Sequence, residues 1–200
     1  MVLLFRVLQR FLPKILFIGK PSGYYLTIDD GPSENTTDIL DILDRYEVKA
    51  CFFCIGQNVV NYPNAYQEIV RRGHQVGLHS MEHKSLWQIN FKAAKDDFRK
   101  SEVIIRSKMY RPPYGRMTPR FFLYLMRSEY KIIFWNRLTE DWKKLQNPEK
   151  TMEKKMENAP LGSIFVFHDN EKSKNNIKTM LPVFLQTIQN QKISLEKLQF

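Results

Sequence analysis

The sequence predicts an α/β fold, a distorted (β/α) barrel of about seven parallel strands, on three observations. Apolar, β-prone runs alternate with helical patterns along all 200 residues, the signature of parallel strands joined by crossover helices. No Gly-x-Gly-x-x-Gly or phosphate-loop motif supports an open nucleotide-binding sheet. The unusual polar residues each follow a β-prone run, where a barrel gathers its βα loops.

Residues 1–22 read as an amphipathic or capping segment ahead of one domain over 23–200. The stretch to Gly19 is rich in Leu, Phe, Val and Ile, but Arg6, Arg10 and Lys14 interrupt it. No apolar run reaches the ~7–15 residues of a signal-peptide core or the ~20 of a membrane span. The three basic residues are four apart, so they share one helical face opposite Leu4, Leu8, Phe11 and Ile15, and Pro13 kinks the helix. Such a helix suits peripheral contact with an anionic membrane surface through residues 1–20, or capping of an open end of the core. The expected location is accordingly the cytoplasm or the inner membrane face, with an extracytoplasmic place left open.

Strands are expected near 24–28, 49–55, 75–78, 109–111, 131–135, 163–167 and 192–195. Helices are expected near 36–46, 63–72, 91–107, 118–128, 147–157 and 176–190. The first strand carries Tyr24, Tyr25, Leu26 and Ile28 and runs into Asp29-Asp30-Gly31-Pro32, a rigid turn that holds two carboxylates at the strand's mouth. Successive strand residues point to opposite sides, so the pair can divide metal binding from proton transfer. The second strand holds Cys51 and Cys54, three apart and therefore on opposite faces, which reads as two small buried thiols. His79 follows the third strand, Arg111-Pro112-Pro113-Tyr114 the fourth, and His168-Asp169 the sixth. Trp135 ends the fifth, with Asp141 in its loop; Asp169 reads as a helix N-cap.

Composition bounds the function less than these motifs do. With 43% hydrophobic and 26% charged residues the chain is ordinary globular protein, and 200 residues suit one core, read as a monomer. A net charge of +10 suits anionic partners. No basic stripe interleaved with aromatics, zinc-finger, helix-turn-helix or RNP signature accompanies it, so no nucleic-acid partner is expected.

His79 and His83 stand at i and i+4, and one helical turn brings both imidazoles to one side, suited to a single ion. Asp30 completes a three-residue set with an open position. His79-x-x-Glu82-His83 also matches the inverted zinc-protease motif. That reading needs a long helix and a distant glutamate, and leaves Asp29, Asp30, Arg111 and His168 without roles.

Taken in order, Thr27-Ile28-Asp29-Asp30-Gly31-Pro32, His79-Ser80-x-x-His83, Arg111-Pro112-Pro113-Tyr114-Gly115, Asp141-Trp142 and Val166-Phe167-His168 resemble the motifs of NodB-type polysaccharide deacetylases, carbohydrate esterase family 4. The resemblance runs from about Tyr24 to the C-terminus. It implies a divalent metal, commonly zinc, and hydrolysis of N-acetyl groups (a C–N bond outside peptides) on N-acetylglucosamine polymers such as peptidoglycan or chitin oligosaccharides. By resemblance Asp29 is the general base that deprotonates the attacking water, oriented by Arg111, and Asp30, His79 and His83 are the metal ligands. The backbone N–H of Tyr114 supports the oxyanion. His168 is the general acid, aligned by Asp141, and Trp142 and Val166 wall the acetyl slot. The chain departs from the family pattern at Leu138, at Val166 and at Leu78, where the family often has Asp, Leu and Asn; each bears on pocket shape rather than on the reaction. The same machinery serves O-acetyl esterases, and a silent sugar-binding barrel is the rival from another class.

Overall fold

Alternation along the strands separates two apolar populations. The computed structural model describes residues 2–199, so Met1 and Phe200, the outer ends of the two expected segments, lie outside the described residues. Tyr25, Cys51, Phe53, Ile133 and Ile164 pack together with Leu198 in a small inner cluster. Their strand neighbours Leu26, Phe52, Cys54, Ile132 and Phe165 pack outward against helical residues such as Leu43, Phe98 and Phe184. Burial of both faces is what a parallel sheet wrapped by helices requires. Burial also pushes the Cys51 thiol up to about 12, and both cysteines are free and buried on opposite sides of their strand.

The strands are β1 (Ile15–Leu16), β2 (Tyr25–Asp30), β3 (Cys51–Cys54), β4 (Gln75–Leu78), β5 (Met109–Tyr110), β6 (Lys131–Ile133), β7 (Arg137–Leu138) and β8 (Ile164–His168). They form one eight-stranded parallel sheet in the order β1-β6-β5-β4-β3-β2-β8-β7. The sheet curls around the inner cluster. Among the described residues no ladder joins its edges β1 and β7, so the barrel is distorted and incompletely closed.

The helices are α1 (Val2–Phe11), α2 (Thr36–Arg45), α3 (Gly56–Asn61), α4 (Pro63–Arg71), α5 (Phe91–Ile105), α6 (Pro119–Met126), α7 (Pro148–Met156) and α8 (Lys174–Asn190). Local chemistry sets several starts. Asn90, Thr118 and Asn147 each accept a backbone N–H of the first turn, and Pro119 and Pro148 occupy first helical positions. α8 buries Ile177, Met180, Leu181, Phe184, Leu185 and Ile188, the three-and-four spacing of one helical face.

Several details differ from the sequence expectation. Two two-residue strands, β1 and β7, and the short α3 add to the expected elements. The strand expected at 192–195 is a single bridge, Tyr24 to Leu195, because only the start of β2 is open to it. α1 ends at Phe11, ahead of Pro13, so Lys14 and Ile15 leave the helix. Ile15 joins β1, and Lys14 donates to the carbonyls of Met126 and Ser128 at the end of α6.

Candidate metal and acid–base site

Asp29 faces the inside of the curled sheet, as its odd position on β2 demands. Its Oδ1 accepts from Arg111 Nη1 at 2.6 Å. That arginine is fully buried just beyond β5. Its Nη1 also donates to Thr27 Oγ1 at 2.8 Å, its Nε to Ile133 O at 3.1 Å and its Nη2 to Phe134 O at 3.2 Å. The guanidinium lies 4.1 Å from the Phe53 ring centre. Its donors are taken in fixed directions, so it holds Asp29 Oδ1 in place and leaves Oδ2 toward the cavity.

Strict alternation would send the next carboxylate, Asp30, to the far side of β2. The backbone turns left-handed there, with φ 76°, and both acids serve one site. Asp30 Oδ1 lies 3.5 Å from His79 Nε2 and 3.3 Å from His83 Nε2. The histidines do not meet through a helical turn, correcting that expectation. Residues 79–83 are a loop with positive φ at Ser80 (67°) and His83 (55°). The loop is pinned from α5, where Asp97 accepts the backbone N–H groups of Met81 and Glu82, and Ser80 Oγ accepts that of His83. Glu82 is turned to the surface and paired with Lys84, so the inverted protease motif lacks its base at the site.

The three donor atoms fit a metal ion. One ligand atom each from Asp30, His79 and His83 lies within 4.8 Å of the others. Among the described residues Asp30 Oδ1 is buried without a hydrogen-bond donor, an orphan that a cation would satisfy. His79 Nδ1 bonds to the Arg111 carbonyl at 2.8 Å, which places its proton there and leaves the Nε2 lone pair toward Asp30 and His83. Burial holds His83 down to about 4, in the neutral form a ligand needs.

His168 ends β8, beside Asp29 in register. Asp141, fully buried, accepts from His168 Nδ1 at 2.8 Å through Oδ1 and from its backbone N–H at 2.8 Å through Oδ2. Burial pushes His168 down, but the Asp141 bond and charge, with the charges of Asp29 and Asp30, outweigh it and raise the imidazole above its ordinary range. Trp142 packs edge-on against this ring at 4.6 Å.

These groups line one cavity of about 610 Å³ with Tyr114, Trp135, Leu138, Asn170, Glu171 and Lys172. Tyr114 holds φ 59° in the turn after Arg111 and sets its ring against His83 at 4.7 Å. Arg111 and Asp141 stand behind the cavity as supports. Val166 is fully buried and is not among the lining residues, so it does not form the expected wall; Thr139 takes its carbonyl. Trp135 and Leu138 supply apolar wall beside Trp142 instead.

Two further corrections concern the loop after β8. Asp169 does not cap the helix that follows it, whose N-cap is Ser173. It reaches across to α2, accepting from Ser33 Oγ at 2.5 Å and from Thr36 Oγ1 at 2.6 Å, and so ties the loop of the two acids to the His168 loop. Asn170, absent from the sequence reading, donates to Asp30 Oδ2 at 2.6 Å. Its closeness to His168 was the only available signal, and an asparagine in a loop is ordinary turn chemistry.

The geometry has parallels. A family model described as polysaccharide deacetylase matches residues 19–133. A peptidoglycan-N-acetylglucosamine deacetylase of Bacillus cereus is 35% identical over 125 residues, 59% of this chain and 46% of that protein. Peptidoglycan-N-acetylglucosamine deacetylase PgdA of Listeria monocytogenes is 33% identical over 155 residues, 74% of this chain and 32% of that protein. The chain thus spans less than half the length of either relative. A crystal structure of the Bc1960 peptidoglycan N-acetylglucosamine deacetylase, in complex with 4-naphthalen-1-yl-N-oxidanyl-benzamide, superposes with a TM-score of 0.86 at 26% identity, covering 92% of this chain and 90% of that one.

Proposed function

We propose that this chain, which belongs to the polysaccharide deacetylase family, removes N-acetyl groups from N-acetylglucosamine units of a glycan, peptidoglycan strands being the first candidate. The observation that carries the reading is a pair of proton carriers, each fixed by a buried partner, around one three-donor cluster. Asp29 is held by Arg111 and His168 by Asp141, each partner fully buried, in a single cavity. A divalent ion, zinc by family resemblance, held by Asp30, His79 and His83 supplies Lewis-acid polarisation of the acetyl carbonyl and eases ionisation of water.

The chain's own residues do the rest. Asp29 Oδ2 takes a proton from the water that attacks the carbonyl carbon, while Arg111 keeps Oδ1 from rotating away. The backbone N–H of Tyr114 donates to the developing oxyanion. His168, protonated, gives its Nε2 proton to the leaving nitrogen as the C–N bond breaks, releasing acetate and a free amine. Trp135, Leu138 and Trp142 present apolar surface to the acetyl methyl and keep bulk water out.

The test is acetate release from N-acetylglucosamine oligomers and from purified peptidoglycan by zinc-reconstituted protein, with Asp29→Asn alongside and acetylated xylan as the ester control. Release from the glucosamine substrates by the wild type alone supports the reading. Release confined to xylan reassigns the site to O-acetyl esters. Bound sugar with no acetate from any substrate reassigns the chain to sugar binding.

A further inference from the structure

Helix α1 turns Leu3, Leu4, Val7, Leu8 and Phe11 away from the domain. It is pinned by two side chains. Phe5 stacks on Phe17 at 5.1 Å, and Phe17 stacks on Phe134 at 5.0 Å. Gln9 accepts the N–H groups of Phe17 and Ile18 at 2.8 and 2.9 Å and donates to Ile18 O at 3.0 Å. At about 100° per residue, Leu8, Leu4, Phe11, Val7 and Leu3 fall in that order on one continuous arc of about 140°, facing away from Phe5 and Gln9. Their exposures run from 37% at Leu8 to 76% at Leu3 and Phe11. The contrast with α8, whose apolar face is buried throughout, is direct.

Arg10 and Arg6 come next round the helix after Leu3. The sequence of α1 contains no acidic residue, and among the described residues neither arginine has a carboxylate partner. Arg6 also lines a cavity of about 300 Å³ together with Lys20 and Lys197, where Glu196 is the single acid among the lining residues. An arc of purely aliphatic and aromatic side chains with an unpaired cationic margin matches the depth profile of a bilayer interface, apolar beneath and anionic at the headgroups. No described helix is long and apolar enough to cross a membrane.

We propose that α1 lies in the plane of an anionic lipid surface. Leu3, Leu4, Val7, Leu8 and Phe11 insert among the acyl chains, and Arg6 and Arg10 bind headgroup phosphates. The Phe5–Phe17–Phe134 stack and the Gln9 bonds transmit that attachment to the sheet, so the domain is held at the surface rather than tethered by a flexible arm. Lys14 takes no part, being committed to the end of α6.

The experiment is co-sedimentation of the full chain with vesicles of phosphatidylglycerol and phosphatidylcholine, and with vesicles of phosphatidylcholine alone. Wild type should bind the anionic vesicles at least about tenfold more tightly, with an affinity that falls as salt rises. Leu4→Glu/Phe11→Glu should lose binding by at least about tenfold on anionic vesicles, while thermal midpoint and turnover of a soluble oligosaccharide stay as in wild type. Arg6→Gln/Arg10→Gln should weaken binding to anionic vesicles and flatten its salt dependence. Equal binding by wild type and Leu4→Glu/Phe11→Glu would overturn the proposal. So would a concentration-dependent dimer in sedimentation equilibrium that this variant abolishes, since the arc would then be a protein–protein face.

Discussion

Asn170 Nδ2 donates to Asp30 Oδ2 at 2.6 Å, while Asn170 Oδ1 accepts the backbone N–H of Ser173 at 3.0 Å. The amide's two ends are thereby assigned by its neighbours. One carboxylate oxygen of Asp30 is spoken for, and the other, Oδ1, is the buried orphan between His79 and His83. The bond selects which oxygen faces an ion.

Asn170→Ala should therefore weaken zinc binding by about 10–100-fold, the usual effect of removing a partner that orients a ligand. Competition against a chromophoric chelator measures it. Asn170→Asp should weaken binding further, because a second carboxylate would stand against Asp30. Zinc affinity within twofold of wild type in the alanine variant would count against any orienting role.

Asp29→Asn separates proton transfer from metal binding. The amide keeps the shape and an acceptor for Arg111 but cannot take a proton. Turnover should fall by about 10²–10⁴ with zinc content unchanged, read by acetate release and metal analysis on the same sample. Removing Arg111 instead should damage the fold. It leaves the buried Asp29 charge without its partner, at a cost of about 3–5 kcal/mol in urea unfolding.

The pH profile should report on Asp141. His168 acts protonated, and its partners raise its pKa, so activity persists below that raised value and is lost as pH climbs through it. Asp141→Asn removes the largest raising influence. The alkaline limb of kcat/KM should move to lower pH, with the acid limb unchanged. An alkaline limb that stays in place would assign it to another group.

Stability should have its own acid limb, set far from the site by His74. Its Nδ1 accepts the Ala50 N–H at 3.1 Å, its Nε2 has no hydrogen-bond partner among the described residues, and its ring stands edge-on to Phe52. Burial, then Lys49, holds its pKa down to about 4, below the ordinary 6.5. The unfolded chain takes up the proton first, so this contribution is complete above about pH 6.5 and declines toward pH 4. With partial solvent screening the loss amounts to about 1–2 kcal/mol. His74→Gln should flatten that part of the curve of urea midpoint against pH.

Most of the site could be read from residue type and order. Asp29, Asp30, His79, His83, Arg111, Asp141 and His168 are all chemically conspicuous and all fall at or beyond strand ends, and the fold brings them to one end of the sheet. What spacing misjudged was the route. The i, i+4 interval of His79 and His83 suggests a helical turn, yet Asp97, far along α5, takes the loop's N–H groups and stabilises two left-handed residues instead. Val166 shows the same limit: its motif position is clear, but only packing places it beneath the cavity rather than in its wall.

Parallel strands, crossover helices and the strand-end position of the acids and histidines follow from the sequence, because hydrophobic period and turn chemistry are local properties. The incompletely closed barrel, the left-handed turn that brings Asp30 to the face of Asp29, and the Asn170–Asp30 bond across 140 positions depend on tertiary structure. So does the outward face of α1, whose pattern predicts an apolar stripe but not whether anything covers it. Each of these depends on which distant groups arrive within hydrogen-bonding or packing range, and the closing of the chain, not any local preference, determines that.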